Sequence, residues 1–226
     1  MNSNVDLSKK SLVPTRIPEH YMANEDYIAR ILDISIIVLA APYIILAFVI
    51  LAISTKMDSP GPVFYRHERI GRYGRKFYVY KFRTMVQNAD QILQDYLDSS
   101  PELKSQWLET QKLKQDPRIT RLGNMLRKSS LDELPQLWNI ILGDMSLVGP
   151  RPIVDSEVEK YGQCFDFYIQ VRPGLTGLWQ ISGRNNTTYE YRVELDEYYV
   201  HNRCVKLYFQ ILWKTIFVVL KKEGAY

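Results

Sequence analysis

The sequence predicts a membrane-anchored, monotopic α/β domain that is mostly helical, and three observations support this fold class. An apolar stretch near the N-terminus predicts a membrane helix. Two segments rich in aromatic and β-branched residues, on either side of "GRYG", predict a β-hairpin or small sheet. Helical patterns dominate the remainder of the chain. With 226 residues and 46% hydrophobic content, the chain is long enough for one domain with a sizeable core.

The apolar stretch predicts a helix that enters the membrane and returns to the same face. It carries no charge from Ile34 to Ile53, and about 20 apolar residues suffice to cross a bilayer. Pro42 lies near its middle, and proline removes a helical hydrogen bond and kinks the helix. Basic residues flank both ends and normally remain on the cytoplasmic side. A helix bent at Pro42 keeps both basic flanks on the cytoplasmic side. A kinked helix that spans the membrane and a buried helix of a soluble protein are the alternatives.

Helical patterns follow the predicted hairpin. They cover residues 86–115 with an interruption at 99–101, residues 121–128, and a segment that begins at "DELPQLWNII". Thr187 or Thr188 is placed to cap a helix through the 190s, because a threonine hydroxyl accepts from a free N–H of the first turn. The last segment, "VKLYFQILWKTIFVVLKK", is mostly apolar with lysines and aromatic residues at its edges. This pattern is typical of an amphipathic helix on a membrane surface, and an ordinary core helix is the alternative.

The charge distribution points to anionic partners. The net charge is only +4, but basic residues are concentrated in one short stretch in which Glu68 is the opposing acid. These residues are Arg66, Arg69, Arg72, Arg75, Lys76, Lys81 and Arg83. Such a cluster favours phosphates, nucleic acid or an anionic membrane surface. The two cysteines have no metal-ligand spacing and are too few for a disulfide scaffold.

Two adjacent acids, Asp132 and Glu133, lie just before Pro135. Ser130 and Glu133 have capping-box spacing, but Pro135 fits the first turn of a helix only if Asp132 lies at or next to the cap. Asp132 is then either a cap that contributes about 1 kcal/mol or a functional carboxylate. A helix N-terminus keeps a carboxylate ionised and attracts phosphate, and adjacent carboxylates are suitable ligands for Mg²⁺.

Basic residues near the two acids strengthen the functional interpretation. Arg127 precedes Asp132, and Arg151 lies in a rigid Pro-Arg-Pro; arginines bind phosphate oxygens through two parallel hydrogen bonds. Carboxylates, a metal and arginines are the groups that phosphoryl transfer requires, and a carboxylate can act there as the nucleophile. Lys81 and Arg83 in "KFRTM" are further candidates for a phosphate site or for lipid headgroups, with a solvated strand face as the alternative.

Long motifs in this chain resemble those of a known family. They are "GPVFYRHERIGRYGRKFYVYKFRTM", "DPRITRLGNMLRKSSLDELPQLWNIILGDMSLVGPRP", "RPGLTGLWQISGRN" and the terminal "GAY". They resemble the bacterial sugar transferases, which are polyprenyl-phosphate hexose-1-phosphate transferases, in their small monotopic form. The resemblance implies transfer of a sugar-1-phosphate from a UDP-sugar to undecaprenyl phosphate with release of UMP. This reaction begins surface glycan synthesis and proceeds in two steps through a phosphosugar-aspartyl enzyme.

The resemblance also implies roles for residues. Asp132 matches the nucleophile and Glu133 its acidic partner, and Mg²⁺ is expected at this pair. Arg127 matches a phosphate-binding arginine, and Arg151 is expected near the nucleotide. The family's re-entrant helix is broken at a Ser-Pro pair, for which this chain has Ala41-Pro42.

Three further residues are candidates for substrate binding. Gln180 and Arg184 in "GLWQISGRN" are expected to contact the sugar or the nucleotide. Asp196 lies on a predicted helix, where a surface ion pair with Arg192 is the alternative to a role in the site.

The predicted organisation has three parts: a flexible or amphipathic lead-in (1–29), a re-entrant membrane helix (30–55) and a cytosolic catalytic domain (56–226). The expected location is the bacterial inner membrane, with the catalytic domain facing the cytoplasm. Expected partners are the UDP-sugar, undecaprenyl phosphate, membrane lipids and a second copy of the chain, but not nucleic acid. The alternative function is a catalytically inactive, membrane-bound scaffold of the same fold.

Overall fold

The computed structural model describes residues 19–110, 113, 115–183 and 187–221, without the side chains of 19–23 and 108–110. The helices of this part of the chain are α1 (Glu19–Asp58), α2 (Ala89–Asp98), α3 (Pro101–Thr110), α4 (Arg121–Ser129), α5 (Gln136–Leu142), α6 (Val158–Tyr161), α7 (Phe165–Tyr168), α8 (Tyr189–Asn202) and α9 (Val205–Lys221). The strands are β1 (Phe64–Ile70), β2 (Lys76–Phe82), β3 (Ser146–Val148) and β4 (Gly174–Thr176). The fold is mostly helical with two small sheets, which confirms the coarse prediction.

The first helix is longer than the predicted membrane segment of residues 30–55. α1 is continuous through Pro42 and begins at Glu19, upstream of the predicted boundary at residue 29. Polar contacts hold its first turns on the rest of the domain: Asp26 accepts from Arg72 and Arg203, and Arg30 Nη2 donates to the Ile141 carbonyl at 2.7 Å. Because these contacts join residues far apart in the chain, the apolar pattern alone does not reveal them.

Both ends of α1 pack on the same domain, while its apolar middle is exposed. Ile37 joins the main core, and Leu51 packs against Phe82 and Leu126. Most side chains between residues 38 and 50 are exposed. Within the part of the chain that the structure describes, α1 is the one helix long and apolar enough to cross a membrane.

The predicted hairpin is confirmed and is tied to α5 by one buried side chain. β1 and β2 pair antiparallel around the turn that contains Gly71–Gly74. Asn139 of α5 is fully buried; its Nδ2 donates to the Tyr78 carbonyl at 2.8 Å, and its Oδ1 accepts from the Tyr80 N–H at 3.2 Å. The side-chain amide therefore continues the hydrogen-bonding pattern of β2 and fixes this strand against α5.

The second sheet was not predicted from the sequence. β3 and β4 form a parallel pair in which Ser146 lies opposite Gly174 and Val148 opposite Thr176. Both strands are too short for a clear period-two pattern. They lie in the main core, whose fully buried members include Ile140, Met145, Leu195, Val200 and Ile211.

Elsewhere, short-range sequence signals predicted helix boundaries correctly. The predicted interruption at residues 99–101 separates α2 from α3. Thr188 caps α8, since its hydroxyl accepts from the Tyr191 N–H at 3.2 Å. α9 buries Tyr208 and Ile211 and exposes a row of apolar side chains that includes Phe209, Trp213 and Leu220. One face of α9 thus packs in the core, and the other face presents exposed apolar side chains.

We expect Asn139→Leu to lower the free energy of unfolding by about 2–4 kcal/mol, because two backbone groups of β2 lose their partners in a buried environment. Denaturation of the detergent-solubilised protein measures this change. Asn202→Leu is the matched control, since Asn202 is exposed and bonds only within its own helix. Equal stability changes for the two variants would contradict the role assigned to Asn139.

Candidate active site

The two adjacent acids lie in a tight turn between α4 and α5. Ser130 follows α4 with a φ of 57°, and Leu131–Glu133 then form a single 3₁₀ turn. α5 begins only after Pro135, and neither the turn nor α5 has a side-chain cap. The predicted helix-cap role of Asp132 was therefore wrong, because the extra turn separates this residue from the start of α5. Its buried carboxylate remains available for another role.

A cavity of about 870 Å³ opens beside this turn, within the size range of small-molecule sites. One wall is the face of the β1–β2 hairpin that carries Tyr65, His67 and Arg69. Most of the residues predicted for the site line this one cavity. They are Lys81, Arg83, Arg127, Asp132, Glu133, Arg151 and Gln180.

The two acids have different electrostatic environments. Lys81 Nζ lies 2.6 Å from Glu133 Oε1 but 3.9 Å from Asp132 Oδ2. Burial alone would raise the pKa of Glu133, but Lys81 and Arg151 lower it to about 2. Burial raises the pKa of Asp132 to about 6 against the opposing effect of Lys81, and the charge of Glu133 contributes to the increase. Glu133 is therefore an ionised, paired carboxylate, and Asp132 titrates near neutral pH.

Arg127 is positioned by the close approach of α4 to the end of the hairpin. A Cβ on Gly123 would lie 2.1 Å from the Thr84 carbonyl oxygen, so only glycine permits this packing. Thr120 caps α4 by accepting from the Gly123 N–H at 2.9 Å. Arg127 Nε then donates to Thr84 Oγ1 at 2.8 Å, which directs the guanidinium toward the cavity that holds Asp132.

Arg83 has two roles in the structure. It lines the cavity, and its Nη1 donates to the Pro60 carbonyl at 2.8 Å and its Nη2 to the Ser59 carbonyl at 2.6 Å. Arg83 thus lines the cavity as predicted and also holds the chain between α1 and β1 in place.

Of the remaining candidates, Gln180 lies at the cavity and Asp196 does not. Gln180 lines the cavity, and its Nε2 donates to the Leu175 carbonyl at 3.2 Å. Asp196 is separate from the cavity, 2% exposed, and accepts from the Tyr161 hydroxyl at 2.8 Å. Because Asp196 faces the interior of the domain, it does not form the surface ion pair with Arg192 that was the alternative. Arg184 lies outside the described residues.

The cavity includes Arg69, which the sequence placed only in the general basic stretch, and two residues that the sequence did not indicate, His67 and Arg118. Arg69 and His67 lie on the same face of the hairpin as Lys81, because residues directly opposite in an antiparallel pair share a face. Alternation along β1 was the signal that could have identified them. Arg118 also lines the cavity, where Asp116 pairs with it at 2.6 Å. No sequence signal distinguished Arg118 from an ordinary surface arginine.

The donor set fits a magnesium ion that is shared with a substrate. No group of three or more His, Cys, Asp or Glu side chains with metal-binding geometry occurs among the described residues. Mg²⁺ commonly uses one or two carboxylates together with substrate phosphates. Asp132 is the more available carboxylate, because Glu133 is already paired with Lys81.

Comparison with known proteins identifies the family. Residues 24–222 match the model of the family described as bacterial sugar transferase. The chain belongs to the bacterial sugar transferase family. This bacterial sugar transferase is 51% identical over 193 residues to the UDP-galactose-lipid carrier transferase of Erwinia amylovora, covering 85% of this chain and 39% of that relative.

Two other relatives show the range of similarity. The exopolysaccharide production protein ExoY of Sinorhizobium fredii is 47% identical over 197 residues, which cover 87% of both chains. The UDP-glucose:undecaprenyl-phosphate glucose-1-phosphate transferase of Escherichia coli is 37% identical, over 78% of this chain and 36% of that relative. The chain thus spans less than half the length of several relatives, including the Erwinia protein.

We expect Asp132→Asn to stabilise this bacterial sugar transferase in metal-free buffer. Folding raises the pKa of Asp132 from 3.8 to about 6, so the folded state is penalised wherever the unfolded chain holds this group ionised. The penalty is largest above about pH 6, and the variant should gain up to about 3 kcal/mol near pH 8.

The gain should shrink near pH 5, where the folded state retains the proton on Asp132. Thermal unfolding at the two pH values measures the difference. Asp155→Asn, the same chemical change at an exposed position, serves as the control. Destabilisation by Asp132→Asn at both pH values would show that the carboxylate has a structural role.

Proposed function

We propose that this bacterial sugar transferase moves a sugar-1-phosphate from a UDP-sugar to undecaprenyl phosphate, giving undecaprenyl-diphosphate-sugar and UMP. The observation that carries the proposal is the buried Asp132 carboxylate, which has no capping role and shares a cation-lined cavity with Lys81, Arg127 and Arg151. The names of the Erwinia and Escherichia relatives, a lipid carrier transferase and an undecaprenyl-phosphate transferase, support the same reaction class.

In the first step, an oxygen of Asp132 attacks the phosphorus that bears the sugar. A bond forms between this oxygen and phosphorus, and the bond to the bridging oxygen breaks, so that UMP leaves with the electron pair. A bound Mg²⁺ would neutralise charge on the diphosphate. Arg127 and Arg151 line the same cavity and would bind the phosphate oxygens. Lys81 keeps Glu133 ionised and favours the ionised, nucleophilic form of Asp132.

In the second step, a phosphate oxygen of the lipid acceptor attacks the same phosphorus. The bond to the Asp132 oxygen breaks, the carboxylate is restored, and a diphosphate links lipid and sugar. One site therefore serves both substrates in turn, so each substrate needs correct orientation toward only one carboxylate.

The location that fits this reaction is the cytoplasmic face of the inner membrane. The exposed apolar middle of α1 and the exposed row on α9 provide two apolar surfaces for the bilayer. Both ends of α1 pack on one domain. This favours a helix that enters the membrane and returns to the same face over a helix that spans the membrane. The lipid phosphate lies at the membrane surface, where such a domain would reach it.

We expect the purified protein, supplied with Mg²⁺ and undecaprenyl phosphate, to release UMP from one member of a UDP-sugar panel. UDP-galactose is the first donor to test, because the Erwinia relative and a 51% identical Salmonella relative are both named for galactose. Asp132→Asn should abolish release while remaining folded, and Asp155→Asn should retain it. Without acceptor, mass spectrometry should find a hexose phosphate on the peptide that contains Asp132.

No UMP from any donor, with a folded protein, would favour the inactive membrane-bound scaffold. UMP release that persists in Asp132→Asn would instead show that Asp132 is not the nucleophile.

We expect Lys81→Met to move the acid side of the pH–activity profile to higher pH. Asp132 must be ionised to attack, so activity should fall as the pH decreases through the folded-state pKa of about 6. Without the Lys81 charge this pKa rises, and activity is lost at a higher pH. Initial rates of UMP release across the pH range measure the profile, with exposed Lys76→Met as the control. An unchanged acid side of the pH–activity profile would show that Lys81 does not control the ionisation of Asp132.

A further inference from the structure

Three phenylalanine rings connect the anchor helix to the candidate active site. Phe48 of α1, Phe64 of β1 and Phe82 of β2 have ring centroids 5.2–5.6 Å apart. We call these three residues the aromatic cluster. Phe64 and Phe82 also line the cavity that holds Asp132. Phe64 and Phe82 therefore form an apolar part of the cavity wall, and Phe48 packs behind them from α1.

One side of the aromatic cluster meets charged groups, and the other meets exposed apolar surface. On the cavity side are Lys81, Arg127 and Arg151. On the α1 side, the neighbours of Phe48 include Ile45 and Val49, which are 62% and 50% exposed. Phe64, the most exposed of the three rings, therefore lies between the apolar middle of α1, which it contacts through Phe48, and the cation-lined cavity.

Phe64 is far more exposed than Phe82, the residue opposite it in the hairpin. Phe82 is 1% exposed and packs with Leu51 and Leu126 in a small core cluster. Phe64 leaves 42% of its surface exposed at the mouth of the cavity. Covering an aromatic ring of this size with hydrocarbon is favourable, so an apolar ligand would gain binding energy at this position.

We propose that the aromatic cluster binds the isoprenoid units nearest the phosphate of the polyprenyl phosphate acceptor, while the phosphate itself occupies the cation-lined cavity. This inference rests on the proposed function. A phosphate joined directly to a hydrocarbon chain matches the arrangement of the wall, in which basic groups and apolar rings adjoin. The UDP-sugar has no hydrocarbon chain, so we assign the cluster to the acceptor; stacking of the uracil ring on Phe64 instead would be seen as a raised KM for the UDP-sugar in Phe64→Ala.

Phe64→Ala tests the proposal, because Phe64 is half-exposed and its removal leaves the buried Phe82 in place. We expect the KM for undecaprenyl phosphate to rise about tenfold, from lost apolar burial. The KM for the UDP-sugar and the burst of UMP formed without acceptor should remain within about twofold. Phe64→Leu should restore most of the acceptor affinity, since the requirement is for apolar surface.

Tyr78→Ala is the matched control. Tyr78 lies on the same face of the hairpin, is 44% exposed, and is separate from the residues that line the cavity. Its removal should leave the KM for undecaprenyl phosphate unchanged. If both variants raise this KM equally, the hairpin face contributes general membrane contact, and the assignment to the acceptor chain fails.

A short, water-soluble acceptor separates chain binding from membrane binding. Farnesyl phosphate carries the isoprenoid units nearest the phosphate but does not require a bilayer. Calorimetric titration of farnesyl phosphate in detergent, without donor, should show weaker binding to Phe64→Ala than to the wild type. Equal binding to both proteins would overturn the proposal. The titration needs no turnover, so it remains decisive even if no UDP-sugar releases UMP and the proposed function fails.

Discussion

The ion pair between Lys81 and Glu133 is the interaction on which the site depends. Two adjacent carboxylates with no cation would share their protons and titrate as a coupled pair. Lys81 contacts Glu133 at 2.6 Å and is farther from Asp132, so it divides the pair into two unlike groups. Glu133 is held ionised by its close pair with Lys81, whereas Asp132 has a longer contact with Lys81 and a pKa of about 6. This division gives one of the two acids freedom to form a new bond.

The ion pair requires that β2 and the acidic turn keep a fixed separation, and α5 provides this. A two-stranded hairpin is only marginally stable alone. Asn139 bonds both backbone groups of β2 that face α5, and α5 follows the acidic turn directly. Arg30 donates to carbonyls at the other end of α5. α1, the hairpin and the acidic turn therefore meet on one short helix, which fixes their relative positions.

Sequence reasoning succeeded where the signal is local and failed where a partner lies far along the chain. The hairpin, the break between α2 and α3, and the Thr188 cap each follow from a few neighbouring residues. Nothing in "KFRTM" shows that Arg83 also donates to the Ser59 and Pro60 carbonyls. Asp196 had the appearance of a surface residue because the side that α8 buries depends on Tyr161. The motifs identified the segments that form the cavity. Only tertiary contacts distinguish residues whose side chains face the cavity from residues that support its walls.

The energetic cost of Asp132 argues against a purely structural role. A capping carboxylate is stabilised by the helix it caps, and its pKa falls. Asp132 shows the opposite: it is buried, caps nothing, and has a raised pKa. A scaffold that only held lipid would be more stable with an uncharged residue at this position. Sites of chemistry commonly retain such unfavourable groups, and the cation-lined cavity around Asp132 is an environment suited to an anionic substrate.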